Sequence, residues 1–481
     1  MTSGSLGVFA VSRGRLLLAA ALVALATALR IPGLFTDFWL DEVWSLEMAL
    51  AIDSPLQVFT AIRTFNNHHL NSLLLFLIGD RYLGEPPWLI YRLPALVAGI
   101  GSVMLAGVLA GKRSPLAGWL ALLLAGTSFP LIFYSSEARG YSFLVFFALL
   151  SFWLLLRYDE TGLARHRYAY WVSSVLGFLS QLVYLFFFIG AVAWSYLRQG
   201  RSEEREDGGR TPNLVRLHDV PLIALLLLFF VDLRHSDFGA AISYSGAEIF
   251  LSTVSMAIGG PPAGALSYVA CAAVLLVLGL ELARLRREGS ELWILFATAM
   301  VIFPLLLIFA ARPRYMSPRY FLVGIALFQI LLGSFLARTW QASSKGKTAV
   351  VILLILVLGG NLLSLTEFWS VGRGRYGEAT RWIADRNPDA SVGSDDDFGA
   401  RLMVEFYSEI EPSAAGIRYV PKESRPNGGW DWWIERRLFN TAVPPSEISD
   451  ELGTRYVLSR SYPTSWLSGI VWHLYTRHGD N

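Results

Sequence analysis

The 481-residue chain contains a single cysteine, Cys271, so no disulfide can form within it. Cys271 sits in an apolar stretch, where a small buried side chain is the expected reading and a nucleophile is not. Charge is scarce: Asp, Glu, Lys and Arg together make up 16% of the residues, and the net charge is +2. No basic stripe runs along any segment, which excludes nucleic acid as a partner. Internal repeats and long low-complexity tracts are absent. With 54% hydrophobic residues and a mean hydropathy of +0.46, the shortage of charge also excludes a soluble protein.

What is present is a series of apolar runs of roughly 15–22 residues, close to the length that crosses a bilayer. They fall near Leu16–Ile31, Leu89–Ala110, Leu116–Tyr134, Tyr141–Leu156, Tyr168–Ser180, Tyr184–Leu197, Pro221–Val231, Ala263–Leu282, Leu292–Ala310, Tyr320–Leu336 and Thr348–Leu365. This predicts a polytopic α-helical membrane protein with about eleven spans. The first run follows a basic segment as in a signal peptide, but no small-residue cleavage site follows it, so it reads as an uncleaved span. Residues Tyr168 to Leu197 are too many for one upright helix, and Gln181 divides them. Within the first long loop, about 32–88, Val43–Leu50 and Leu70–Ile78 read as amphipathic or partly sunk helices.

Lys and Arg set the expected orientation. Arg13, Arg15, Lys112, Arg113, Arg157, Arg165, Arg198, Arg284, Arg286, Arg287, Arg338 and Lys345 fall in alternate loops, which places those loops and the N-terminus in the cytoplasm. The opposite loops carry every unusual polar cluster. After Phe368 the composition turns mixed and polar. Helices near Tyr376–Arg386 and Phe398–Ser408, with strands near Ser391–Gly393, Ile417–Val420, Arg455–Ser459 and Ile470–Tyr475, predict a small extracytoplasmic α/β domain over 370–481, behind a membrane domain of 1–369.

The first polar cluster is Asp41-Glu42, just beyond the first span. Carboxylates beside a membrane are costly, and in such a protein they are read as functional by default. One of them can take a proton from an incoming hydroxyl; the alternative is a pair that simply stabilises a helix N-terminus. Asn67-His68-His69 follows. Adjacent histidines diverge by about 100° on a helix, so contacts to a sugar or to Asp41 fit better than a two-histidine metal site. Arg92 begins a span, either snorkelling or partnering one of the carboxylates. Glu137 and Arg139, in the turn Tyr134–Tyr141, either pair together or face the same cavity as Asp41. Arg312, Arg314 and Arg319 crowd a loop on the side that should be poor in arginine. An anionic ligand explains them, since the guanidinium fork suits phosphate.

Taken together, these segments resemble the GT-C membrane glycosyltransferases of the family 39 type, which include the protein O-mannosyltransferases and are related to the aminoarabinose transferases of lipid A. The matching residues are Arg30-Ile31-Pro32-Gly33 at the end of the first helix, Asp41-Glu42, Asn67-His68-His69-Leu70, Arg92-Leu93-Pro94-Ala95, the turn from Tyr134 to Arg139, and Arg319-Tyr320. The departures are His69, where the family has proline, and Ser136, where it has glutamine. The C-terminal domain matches only in general form, and Trp430-Asp431-Trp432-Trp433 reads as packing or a sugar-contact surface.

The resemblance implies a polyprenyl-phosphate sugar as donor. It implies a single sugar transferred with inversion to an acceptor hydroxyl of a lipid, glycan or protein at the outer face of a bacterial plasma membrane. Asp41 would be the base and Glu42 its helper. His68, Arg92, Glu137, Arg139, Arg314, Arg319 and Tyr320 would bind or orient substrate, with the donor phosphate on Arg319. No cofactor is demanded, though His68 leaves a divalent metal open. The alternatives are an oligosaccharyltransferase or ligase of lipid-linked glycans, which the Asp-Glu form does not favour, and a lipid-linked sugar transporter or flippase, which would need polar clusters on both sides.

Overall fold

The computed structural model describes residues 13–82, 88–204, 213–236, 245–311, 317–437, 443–467 and 469–479. The expected donor-binding residue Arg314, with Arg312, lies outside the described residues. Eight helical segments among those described are long and apolar enough to cross a membrane: Arg13–Phe35, Leu89–Gly111, Tyr141–Thr161, Leu182–Gly200, Ala265–Arg287, Leu292–Phe309, Pro318–Ala342 and the start of Ser344–Ala384. The protein is a multi-pass membrane protein.

Of the eleven expected runs, eight coincide with these segments and three form shorter helices. Pro115–Thr127 ends at Ser128, and Pro130 opens a second helix, Phe129–Tyr134. Proline lacks an N–H and suits a first turn, which accounts for the break. Ala164–Ser180 closes at Gln181, whose backbone is extended, and a new helix starts at Leu185. Asp219–Val231 is apolar on all faces but has only 13 residues.

The core of the bundle is the helix Leu322–Ala342, buried on nearly every face. It packs against Pro115–Thr127 and Leu89–Gly111, and Leu89–Gly111 packs in turn on Tyr141–Thr161. Ion pairs tie the loops at one end: Lys112 to Glu160 (2.6 Å), Arg113 to Glu288 (3.2 Å) and Arg198 to Asp159 (3.3 Å). The other end carries the helices Leu40–Leu50 and His69–Ile78, which pack together, and the C-terminal domain.

That domain is a six-stranded mixed sheet with two helices, Tyr376–Ala384 and Asp397–Ile410. The strands are β1 Ser391–Ser394, β2 Arg418–Tyr419, β3 Trp432–Arg437, β4 Glu447–Ser449, β5 Arg455–Tyr462 and β6 Val471–Arg477, in the order β2-β1-β3-β6-β5-β4. β1 is parallel to β2 and β3; the remaining pairs are antiparallel. The sequence did not announce β3, because its tryptophans read as a motif rather than a strand. Trp432 is buried against the domain core, and Trp430 donates to the Val420 carbonyl at 2.7 Å, so these rings pack the sheet.

Candidate active site

Asp41 and Glu42 open the helix Leu40–Leu50, and their environments differ sharply. Glu42 is fully buried. Arg92 grips it with both prongs of the guanidinium, Nε to Oε1 at 2.8 Å and Nη2 to Oε2 at 2.7 Å, and the Ala138 N–H adds a third bond at 2.8 Å. Burial raises the cost of this charge, but the Arg92 charge and its hydrogen bonds outweigh it and hold the carboxyl below its ordinary value. Arg92 also donates to the carbonyls of Leu34, Thr36 and Asp37, so it fixes the segment entering the helix.

Asp41 keeps a partly accessible side chain. Its Oδ2 accepts from Arg319 Nη1 at 2.7 Å, and Arg139 Nη2 lies 3.4 Å away. Arg139 is buried; its Nη1 donates to Asn66 Oδ1 (2.6 Å), Ser45 Oγ (2.8 Å) and the Asp41 carbonyl (3.0 Å), and its Nη2 also lies 3.4 Å from His68 Nε2. The Arg319 guanidinium lies over the rings of Trp39 and Tyr141, each at 5.6 Å, and of Tyr320 at 5.9 Å. Such a cage holds a cation while leaving its N–H groups free to meet an anion. The Nε atoms of both Arg139 and Arg319 lack hydrogen-bond partners.

His68 reaches the same cluster. Its Nδ1 accepts from the Gly140 N–H at 2.8 Å, so a neutral ring carries its proton on Nε2. Nε2 faces Gln181 at 3.1 Å, which satisfies that proton when the amide turns its oxygen inward. Burial, then the charges of Arg139 and Arg319, push the His68 pKa well below its ordinary value. A side chain at Gly140 would strike His68 and the Ser180 carbonyl, so this approach requires glycine.

Glu137 is fully buried; one oxygen accepts from the Trp39 indole and the other has no partner. Burial pushes its carboxyl up to about 7, against the opposing pull of Arg373. It makes no ion pair with Arg139, which turns to Asp41 instead.

The structure thus gathers Asp41, Glu42, His68, Arg92, Glu137, Arg139 and Arg319 into one cluster. Asn67 is not among them: its amide donates to the Val58 and Ile62 carbonyls and shapes the loop. His69 turns away to Asp232 at 2.5 Å, where Arg63 adds a second bond at 3.0 Å. Asp232, Gln181 and Trp39 were not legible in the sequence as neighbours of these groups. Among the described residues, no group of three or more His, Cys, Asp or Glu is placed to hold a metal ion.

Two cavities share a wall, and the first is lined by residues next to members of the cluster. One, about 290 Å³, is lined by His69, Gln181, Asp232, Phe186 and Tyr320, which follows Arg319 in the chain. The other, about 130 Å³, lies among the membrane helices and is almost wholly apolar, with Ile249, Val274, Ala299 and Phe321 in its walls. Phe186 lines both.

No protein-family model matches the sequence, nor does any curated protein. Among solved structures the chain is similar to ArnT from Cupriavidus metallidurans in the apo state, with a TM-score of 0.54 at 13% identity, covering 95% of this chain and 97% of that one. The fold is that of ArnT. It is a GT-C fold, with its helical bundle and small C-terminal sheet domain. ArnT bound to undecaprenyl phosphate superposes with a TM-score of 0.51 at 13% identity, over 96% of this chain and 98% of that one. The resemblance read from short motifs and the ArnT likeness read from coordinates therefore agree on the fold.

Proposed function

We propose that this protein is an inverting glycosyltransferase that moves a single sugar from a polyprenyl-phosphate donor to an acceptor hydroxyl. The observation that carries this reading is one partly accessible carboxylate, Asp41, facing two guanidiniums beside a largely apolar cavity between membrane spans. The ArnT structure with undecaprenyl phosphate supports a donor of that class.

The donor tail would lie in the apolar cavities, with its phosphate on Arg319 and near Arg139. The acceptor hydroxyl gives its proton to Asp41 as its oxygen bonds to the anomeric carbon. The bond from that carbon to the phosphate oxygen breaks on the opposite face, which inverts the centre. The electron pair leaves with the lipid phosphate, where arginine stabilises the charge that develops. A phosphate leaving group needs no acid, so one carboxylate base suffices. Glu42, held by Arg92 and Ala138, anchors the helix that aims Asp41. Arg319 holds Asp41; an arriving phosphate would compete for that guanidinium and free the base.

The chemistry would belong to residues 1–369, with residues 370–481 over the same face. We read that face as lying outside the bacterial plasma membrane and the N-terminus inside, a reading supported by Lys and Arg in alternate loops. Asp41→Asn should abolish sugar transfer in correctly folded, membrane-inserted protein. Near-normal turnover of that variant would remove Asp41 as the base.

A further inference from the structure

Arg373 lies in the segment that joins the last membrane helix to the C-terminal domain, and it is fully buried. It touches neither Asp41 nor Arg319, yet its guanidinium grips both segments that carry the site. Nη1 donates to the Gly33 carbonyl (3.1 Å) and Thr36 Oγ1 (2.8 Å), in the stretch leading to Asp41-Glu42. Nη2 donates to the Phe133 carbonyl (2.7 Å) and Ser136 Oγ (3.2 Å), in the stretch leading to Glu137 and Arg139. The guanidinium also lies over the Phe133 ring at 4.5 Å and the Phe368 ring at 5.0 Å. The two stretches approach so closely that a side chain at Gly33 would collide with Ser136.

Thr36 Oγ1 also accepts from Arg92 Nη1 at 3.3 Å. A chain of contacts therefore runs from Arg373 through Thr36 to Arg92, and from Arg92 to Glu42, the residue after Asp41. At its other end Arg373 is fixed by the C-terminal domain. The Tyr376 hydroxyl donates to the Arg373 carbonyl at 3.0 Å and accepts from the Ile470 N–H at 2.8 Å. The same domain holds the entry segment twice more: Tyr407 donates to the Phe38 carbonyl at 2.8 Å, and the Gly377 N–H donates to Asp37 Oδ2 at 2.9 Å.

We infer that Arg373 is a positioning residue for the reaction: through it, the docked C-terminal domain sets the placement of Asp41 against the arginines. This rests on the reading of Asp41 as the base. An arginine fork reaches four acceptors on two segments, and a lysine at the same place cannot. Losing the fork lets the two stretches drift apart, and misplacing a reacting group by about 1 Å can cost on the order of 100-fold in rate.

The test uses full-length protein in lipid nanodiscs, with a panel of undecaprenyl-phosphate hexoses and pentoses as donors and total envelope lipid as acceptor. The readout is undecaprenyl phosphate released per folded molecule. Arg373→Lys should lower kcat at least about tenfold while leaving the donor KM within about threefold. Thr36→Val, which keeps the shape and removes the shared hydroxyl, should lower kcat in the same sense, and the double variant should be no worse than Arg373→Lys alone. Hydrogen exchange should quicken in residues 33–46 and stay unchanged in 89–111. Should Arg373→Lys fail to fold, Thr36→Val and Ser136→Ala carry the test. Wild-type kcat and unchanged exchange in the variants that fold would overturn the inference while Asp41→Asn stays inactive; turnover by Asp41→Asn would instead overturn the reading beneath it.

Discussion

The contact between Arg319 and Asp41 yields a measurement that needs neither the sugar nor the acceptor. If the donor phosphate takes Arg319 from Asp41, removing the Asp41 charge should make phosphate binding tighter. The contact is one charge-assisted hydrogen bond of 2.7 Å between side chains that keep 14% and 12% of their exposure. Hydrogen bonds to charged groups contribute about 1.5–3 kcal/mol, and partial exposure favours the lower figure. Asp41→Asn, which leaves a weaker neutral contact, should therefore tighten undecaprenyl phosphate about five- to tenfold, at about 1.4 kcal/mol per factor of ten. Arg319→Ala should weaken it by roughly 30- to 100-fold, the loss of about 2–3 kcal/mol. In the Arg319→Ala background, Asp41→Asn should tighten binding much less, because only the longer contact from Arg139 is left to compete for. Calorimetric titration of the protein in nanodiscs reads all four affinities. Unchanged or weaker binding by Asp41→Asn would refute the competition. So would an equal gain from Glu137→Gln, which would reveal only a general field of negative charge.

Glu42→Gln breaks a buried ion pair and strands Arg92. It should cost about 3–5 kcal/mol, seen as a lower thermal midpoint in lipid nanodiscs, and an unshifted midpoint would contradict the anchoring role. Asp232→Ala leaves His69 and Arg63 without their partner and should cost about 1–3 kcal/mol, while Ser236→Ala, which removes a weaker contact at 3.2 Å to Asp232, should be close to neutral. Glu137 sets a pH dependence. Its folded pKa of about 7 lies above the unfolded value, so its contribution to stability is complete in acid and is lost as pH rises through 7. Glu137→Gln should flatten that decline, and parallel pH–stability curves for the two proteins would count against a protonated Glu137.

The membrane helices were legible because lipid permits little else: the backbone must satisfy itself and the side chains must be apolar. The break at Gln181 was legible for the same reason, since a polar residue divided a run too long for one helix. Asp41-Glu42 stood out as charge next to a span, but neighbours in sequence gave no means of telling the two apart. Their difference comes from partners 50 and 278 residues away, Arg92 for Glu42 and Arg319 for Asp41. Arg373 and Asp232 were missed for a related reason. Each lies just past the end of a helix, where a charged residue is unremarkable, and each acquires meaning only from a loop far away in the chain. Strand β3 was hidden by its tryptophans, whose composition drew attention away from their alternation.

The helix Asp219–Val231 has a consequence for the lipid around it. Its 13 residues rise only about 20 Å, against a hydrocarbon core of about 30 Å. Its end delivers Asp232 to His69 and Arg63 at the rim of the larger cavity. A span this short is accommodated where the bilayer thins to meet it, and a lipid entering the cavity sideways at such a place would cross less hydrocarbon than beside a full-length span.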